Sequence, residues 1–280
     1  MRGPRLLTLA LAALTAAGLL TGPAAAATAP AATTTAPAAA TKKGVSVNNH
    51  PGVAAALADV RAGWYYTWAS DTQGVTTPAG VEFVPMIWGA GAVTDAQLNR
   101  ARSSGTTLLG FNEPDMAGQA NMSVEQALSL WPRLQATGMR LGAPAVAFGG
   151  DRAGGWLDRF MSGAAARGYR VDFIPLHWYG SDFSTAATGH LQSYVQAVHD
   201  RYRKPIWLTE YGLIDFTGPQ PRYPDQARQS DFVRRSSAML NGLPHVERFA
   251  WFSLSTRTSP TGLYDGTTPN TTGVAYRSVP

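Results

Sequence analysis

Two glutamates of this sequence each end an apolar, strand-like stretch. Glu113 follows residues 108–112, and Glu210 follows residues 206–209. A charge beside an apolar strand is unfavourable unless the protein uses it. Two such carboxylates can break a glycosidic bond, one protonating the leaving oxygen and the other stabilising or trapping the sugar cation. At a separation of about 5–5.5 Å the reaction is a double displacement that retains the anomeric configuration.

The rest of the chain predicts how these glutamates are positioned. Strand-like and helix-like stretches alternate from residue 44 onward, which is typical of β-α-β units. Eight strands are predicted, at residues 45–47, 64–68, 81–88, 107–111, 140–143, 173–179, 206–211 and 249–252. This pattern predicts an α/β fold, a (β/α)8 TIM barrel forming a single catalytic domain, with active-site residues at the C-terminal strand ends. Glu113 and Glu210 would end the fourth and seventh strands and face each other across the barrel mouth.

Helix signals support the barrel. Thr94 with Gln97 and Ser123 with Gln126 form capping-box patterns, which predict two helix starts. The apolar face of a third helix repeats every three or four residues, at Leu191, Tyr194, Val195, Val198 and Tyr202. Residues 71–80 leave little room for a full crossover helix.

The N-terminal region differs from the rest of the chain. Two arginines precede an apolar run at residues 6–20, and small residues follow it. This pattern predicts a secretory signal peptide over residues 1–27, and the run is short for a membrane span. Residues 28–43, rich in Ala, Thr and Pro, are predicted to be a disordered tether. We therefore expect a secreted, extracellular protein with a folded domain at 44–280 and no membrane contact after signal removal.

Composition argues against several other classes of protein. The net charge is +5, but four of the basic residues precede residue 44 and no basic stripe follows, so a nucleic-acid partner is not expected. The absence of cysteine excludes disulfides and thiolate metal sites. The five histidines are scattered without metal-ligand spacing. We expect no metal, no cofactor and a monomer.

The motifs around both glutamates point to a known family. Residues 110–114 and 208–211 resemble the strand-four Asn-Glu-Pro and strand-seven Glu signatures of clan A glycoside hydrolases. Further sequence segments are similar to glycoside hydrolase family 128, the fungal-type β-1,3-glucanases. They lie at residues 119–123, 171–174, 176–179 and 204–207. The resemblance runs from about residue 44 to the C-terminus. It implies a retaining endo-β-1,3-glucanase acting on β-glucan, with Glu113 as acid/base and Glu210 as nucleophile.

Further polar site residues follow from the resemblance and from strand periodicity. By resemblance, Asn112 would hydrogen-bond the sugar 2-hydroxyl; a turn-forming asparagine is the alternative. Period-two alternation sends His177 and Tyr179 to one face of the sixth strand. On a lumen-facing strand, Tyr179 would orient Glu210, and His177 would reach the substrate or the acid/base. The alternative for both is a place in the core.

Tryptophans at strand ends are candidates for sugar contacts, because an indole stacks well on the C–H face of a pyranose. Trp251, at the end of the eighth strand, would be the sugar platform by resemblance to clan A enzymes. Further subsites would be lined by Trp68, Trp88 and Trp178. Core packing is the alternative for each. Asp115 and Asp215, which follow the catalytic strands, are predicted to fix loops rather than to catalyse.

Two other functions remain open at this point. The first is another clan A β-glycanase, such as a β-1,4-glucanase or a mannanase, because nothing in the residues distinguishes the linkages. The second is a catalytically silent β-glucan-binding protein that keeps the aromatic groove. The presence of both glutamates argues against the second, because a binding protein has no need of two carboxylates.

Overall fold

The computed structural model describes residues 41–280. The predicted signal peptide and most of the predicted tether lie outside the described residues. Within the part described, no helix is long and apolar enough to cross a membrane.

Eight parallel strands form the central ring. Their bounds are β1 Lys43–Ser46, β2 Trp64–Tyr66, β3 Glu82–Phe83, β4 Thr107–Leu108, β5 Arg140–Leu141, β6 Ile174–Gly180, β7 Ile206–Leu213 and β8 Val246–Trp251. Six of them pair in the order β3-β2-β1-β8-β7-β6, and β4 pairs with β5. Isolated parallel bridges, Met86 with Leu109 and Gly142 with Phe173, join the two sheets on both sides. The ring therefore closes, and the predicted (β/α)8 barrel is confirmed.

Helices cover the outside of this ring. Their bounds are α1 Val53–Asp59, α2 Asp95–Ser104, α3 Val124–Gln135, α4 Trp156–Ala166, α5 Ala187–Tyr202, α6 Gln226–Gly242 and α7 Thr271–Arg277. A short hairpin, β9 Tyr264–Asp265 with β10 Thr268–Pro269, precedes α7. Both predicted capping contacts form: the hydroxyls of Thr94 and Ser123 accept from the backbone N–H of Gln97 and Gln126. The link between β2 and β3 contains no helix among the described residues, as its shortness predicts.

The lower part of the barrel interior is filled with aromatic rings. Its buried apolar residues are Trp64, Tyr66, Val84, Met86, Leu109, Phe173, Trp207 and Ala250. The rings of Phe173 and Trp207 lie 4.4 Å apart, and the Arg248 guanidinium sits 4.4 Å from the Trp207 ring. Cation–π contacts of this kind stabilise a partly buried guanidinium. This packed layer forms a solid floor beneath the barrel mouth.

The fold begins earlier than the sequence predicts. Lys43 is the first residue of β1 and is 1% exposed. Its ammonium donates hydrogen bonds to the carbonyls of Tyr276 and Val279, at the C-terminal end of α7, where a positive charge is favourable. The Lys42 ammonium donates to the Leu243 carbonyl at 2.9 Å. The C-terminal boundary predicted for the tether is therefore wrong, because both lysines belong to the folded domain.

Lys43 should give the protein a pH-dependent stability. Burial, helped by the charge of Arg61, lowers the pKa of Lys43 to about 8. The unfolded chain therefore binds more protons above that pH, and the free energy of unfolding should rise as pH increases from 8 toward 10. Urea denaturation between pH 7.5 and 9.5 should show this rise, and Lys43→Met should flatten it. The control Lys204→Met should keep the rise; a Lys43→Met profile parallel to the wild-type profile would contradict the assignment.

Candidate active site

Glu113 lies just beyond β4 in an uncommon backbone conformation. Its φ angle is 43°, in the left-handed region that non-glycine residues rarely adopt. The backbone N–H donates to the Ala145 carbonyl at 2.7 Å, and Pro114 follows directly. Such a conformation carries a penalty of about 1–3 kcal/mol and is found mainly where function requires it. The buried Glu113 side chain lines the cleft at the barrel mouth.

Glu210 reaches the barrel interior because β7 contains one extra residue. Leu176 of β6 pairs with Leu208, whereas His177 pairs with Glu210, so Thr209 is inserted in the register. Trp207 points into the interior, and strict alternation would send Glu210 outward. The extra residue acts as a β-bulge, which re-aims the following side chain. The bulge therefore places the Glu210 carboxylate beside His177, at the bottom of the cleft.

Three donors hold the Glu210 carboxylate. The Tyr66 hydroxyl lies 2.9 Å and the Trp68 indole nitrogen 2.8 Å from Oε1, while the Tyr179 hydroxyl donates to Oε2. Burial and the neighbouring Glu210 charge raise the pKa of both Tyr66 and Tyr179 well above its usual value. Both phenols therefore stay protonated and act as donors. Hydrogen bonds to an ionised acceptor are the strong ones, so these three donors fix the position of the Glu210 carboxylate.

His177 connects the two glutamates. Its Nδ1 lies 2.7 Å from Glu113 Oε1, and its Nε2 lies 3.5 Å from Glu210 Oε1. Burial alone would lower the pKa of His177, but the charges of Glu210 and Glu113 outweigh it and raise the pKa. The imidazole therefore keeps a proton that it shares with the Glu113 carboxyl group. The prediction that His177 reaches the acid/base candidate agrees with this geometry.

The distance between the glutamates constrains the chemistry. One ligand-type atom from each of Glu113, His177 and Glu210 lies within 4.8 Å of the others. This carboxylate spacing matches retaining glycoside hydrolysis, since inverting enzymes keep about 6.5–9.5 Å for a water molecule. A metal ion would also fit these distances. However, Oε1 of Glu210 already accepts from two donors and Nδ1 of His177 contacts Glu113, so the atoms are better arranged for proton handling.

The catalytic pair opens into a cleft of about 880 Å³. Asn112 lines it; its Nδ2 donates to Gln119 Oε1 at 3.3 Å, while its buried Oδ1 has no partner among the described residues. An unpartnered acceptor is suited to a ligand hydroxyl. Trp88 lies on the wall and is 37% exposed. Trp68 also lines the cleft, so its indole faces both the cleft and Glu210.

The prediction of Trp251 as the sugar platform is wrong. Trp251 is fully buried, and its indole N–H donates to the Thr261 carbonyl at 2.8 Å. Ala250 faces the barrel interior, so alternation turns Trp251 outward toward the helices and Phe252 back inward. Phe252 lines the cleft, with its ring 6.0 Å from the Trp68 ring. Strict alternation along β8 was the signal that could have identified Phe252.

Trp178 is a weaker candidate than the sequence suggests. It borders the cleft, but it alternates with His177 and turns its indole toward the helices. One face of the indole stacks on Phe232 of α6, with ring centres 5.8 Å apart. Its main contacts are therefore between strand and helix.

Other residues of the site were missed from the sequence. Tyr66 had a signal, because it lies two residues before Trp68 and alternation places both on one strand face. Met116, Phe148 and Phe216 are exposed in the cleft, but they stand on loops, where no periodicity marks them.

The two loop aspartates behave as predicted. Asp115 Oδ1 accepts from the Ala147 backbone N–H at 2.9 Å, which ties two loops together. Asp215 accepts from both the backbone N–H and the hydroxyl of Thr217 and pairs with Arg222. These contacts lower the pKa of Asp215 to about 2. Both aspartates fix loops at the cleft edge.

A closed (β/α)8 barrel with two glutamates this close at its C-terminal mouth has the architecture of a glycoside hydrolase. Residues 44–276 match the family described as "Glycosyl hydrolase catalytic core". The chain belongs to glycoside hydrolase family 128.

Solved structures of this family are similar to the chain. A subgroup I endo-β-1,3-glucanase from Amycolatopsis mediterranei, in complex with laminaritriose, is 74% identical with a TM-score of 0.85, covering 85% of this chain and 99% of that one. Variants of that enzyme with one glutamate replaced by alanine are bound to laminarioligosaccharides. A subgroup II endo-β-1,3-glucanase from Sorangium cellulosum is 30% identical with a TM-score of 0.73, covering 86% of this chain and 99% of that one.

A curated relative is "Alkali-sensitive linkage protein 1" of Schizosaccharomyces pombe. It is 32% identical over 201 residues, or 69% of this chain. The chain spans 34% of the length of that protein.

The corrected position of Trp251 can be tested by stability. Trp251→Phe removes core volume and a buried hydrogen bond, and should lower the free energy of unfolding by about 1–3 kcal/mol. Trp88→Phe, on the open cleft wall, should change it by less than about 0.5 kcal/mol. Urea denaturation of both variants measures the difference. A larger loss of stability in Trp88→Phe than in Trp251→Phe would contradict the buried position of Trp251.

Proposed function

We propose that this protein is a secreted endo-β-1,3-glucanase that hydrolyses β-1,3-glucan with retention of configuration. The observation that carries the proposal is the close approach of Glu113 and Glu210 at the mouth of a family 128 barrel. The two glutamates replaced in the Amycolatopsis variants are separated in sequence by the same number of residues as Glu113 and Glu210. Secretion is supported by the signal-peptide pattern of residues 1–27.

In the first step, Glu210 attacks the anomeric carbon while Glu113 gives its proton to the leaving oxygen. The glycosidic bond breaks, a glycosyl ester forms on Glu210, and the shortened glucan leaves as an alcohol. Tyr66, Trp68 and Tyr179 fix the attacking carboxylate beforehand, so little reorganisation is needed at the moment of attack.

In the second step, Glu113 is a carboxylate and takes a proton from water. The water oxygen bonds to the anomeric carbon, the ester bond breaks, and Glu210 returns to its ionised form. His177 holds Glu113 in place through Nδ1 in both steps. Its raised pKa keeps a proton available to balance the alternating charge of Glu113.

Asn112 and the aromatic wall are proposed to bind the sugar. The Asn112 amide nitrogen is engaged by Gln119, which leaves Oδ1 as the acceptor for the 2-hydroxyl. A hydrogen bond to this hydroxyl strengthens in the transition state. Trp88 and Phe252 offer apolar surfaces on which pyranose faces can stack.

The silent-binder alternative is disfavoured by the surroundings of Glu210. A binding cleft gains nothing from a buried carboxylate with three donors, because burying that charge is unfavourable. The choice of linkage is supported by the β-1,3-glucanase activity of the related family 128 enzymes rather than by any contact in the cleft. That the protein acts as a monomer, without nucleic-acid or membrane partners, remains a prediction from the sequence.

The substrate proposal is tested by comparing polymers. Purified protein should release reducing ends from laminarin, and its products should be a ladder of oligosaccharides because cleavage is internal. Cellulose and β-mannan, assayed at equal mass, serve as controls and should release almost nothing. Comparable turnover on a β-1,4 polymer would replace the proposal with the other clan A activity. Binding of laminarin without turnover would favour the silent binder.

The roles of the two glutamates are tested with azide and an activated aryl β-laminaribioside. Glu113→Ala should still form the glycosyl-enzyme, because the aryl group leaves without a proton, and azide should then release a β-glycosyl azide. Glu210→Ala forms no ester, so azide should attack the opposite face and give the α-azide. Proton NMR distinguishes the two anomers. If Glu113→Ala gave the α-azide and Glu210→Ala the β-azide, the two roles would be reversed. Full activity in either variant would show that these two glutamates are not the catalytic pair.

A further inference from the structure

One cleft wall is a short loop that carries an exposed aromatic ring. Residues 147–152 follow β5, and Phe148, Asp151 and Arg152 of this loop line the cleft. Phe148 is 63% exposed, and the Arg152 guanidinium lies 5.9 Å from its ring. An aromatic ring so exposed on a cleft wall is suited to stack on a sugar, provided that its backbone is held in place.

Side chains of helix α5 hold the backbone of this loop, and one of them, Tyr194, also lines the cleft. The Tyr202 hydroxyl donates to the Gly150 carbonyl at 3.1 Å, and the Tyr194 hydroxyl accepts from the Gly150 N–H at 3.2 Å. Arg201 Nε donates to the Asp151 carbonyl at 2.9 Å. Gly150 is buried, so its two peptide groups need partners, and two tyrosines of one helix supply both.

The loop has a second fixed point on its other side. Asp115 accepts from the Ala147 N–H at 2.9 Å, so Phe148 lies between two anchored residues. A side chain at Gly150 would come within 2.8 Å of the Tyr194 hydroxyl. A larger residue at this position would therefore displace the Tyr194 hydroxyl from the loop.

We propose that Tyr202 and Arg201 are positioning residues for glucan binding, which they control by fixing the loop that presents Phe148. The proposal rests on the glucanase function proposed above. Tyr202 is not among the residues that line the cleft, so it acts through the loop rather than on the sugar. The side chains of Glu113 and Glu210 make their described hydrogen bonds to other residues, so the chemical step should be nearly independent of this anchor.

The experiment compares Tyr202→Phe with the wild type on laminarihexaose. Loss of one hydrogen bond should raise KM by about three- to fivefold and leave kcat within about twofold. Tyr169→Phe, a tyrosine outside the cleft lining, is the matched control and should change neither value. In a Phe148→Ala background, Tyr202→Phe should have almost no further effect on KM, because the ring that it positions is gone.

Amide hydrogen exchange provides a test that needs no substrate. Tyr202→Phe should speed exchange at residues 149–151 by at least about threefold, with exchange in the barrel strands unchanged. An unchanged exchange rate, a fall in kcat at constant KM, or an equal KM increase in the Phe148→Ala background would overturn the positioning role. A wild-type protein inactive on laminarihexaose would instead contradict the proposed function, so the two failures are distinguishable.

Discussion

The buried carboxylate of Glu210 is the constraint on which the rest of the site depends. An ionised group is stable in a barrel interior only when several donors replace its water. Tyr66 ends the second strand, Trp68 follows it, and Tyr179 lies on the sixth strand. These three donors therefore reach Glu210 on the seventh strand only when the strands form a closed ring. The extra residue at Thr209 then turns the carboxylate inward. Barrel closure, the bulge and the three donors are therefore all needed to stabilise the buried carboxylate of Glu210.

Charge on Glu210 in turn governs its neighbours. It helps to raise the pKa of His177 against the effect of burial, and the imidazole then connects the nucleophile to Glu113. A double displacement needs Glu113 to lose and regain a proton while its position stays constant. The left-handed backbone at Glu113 and its contact with His177 meet that need. The aromatic floor beneath excludes water, which strengthens each of these interactions.

The sequence predicted the barrel and the glutamate pair because both have local signals, apolar strands that end in charge. Alternation also placed His177 and Tyr179 on the correct face. Alternation also turns Trp251 outward, whereas the resemblance to clan A enzymes predicts a sugar platform at that position. The bulge before Glu210 has no local signal, since it depends on pairing between β6 and β7. The buried Lys43 was missed for the same reason, because its partners are distant in the chain. The exposed loop residues were missed because no periodicity marks them.

The central claim is that Glu210 carries the covalent intermediate. An activated 2-deoxy-2-fluoro β-laminaribioside tests it directly, because loss of the 2-hydroxyl contact slows both steps while the good leaving group still allows the first. Intact-mass and peptide mass spectrometry should then show one laminaribiosyl adduct, on the peptide that contains Glu210. An adduct on the Glu113 peptide, or continued turnover of the reagent with no adduct and inversion of the product, would contradict the account.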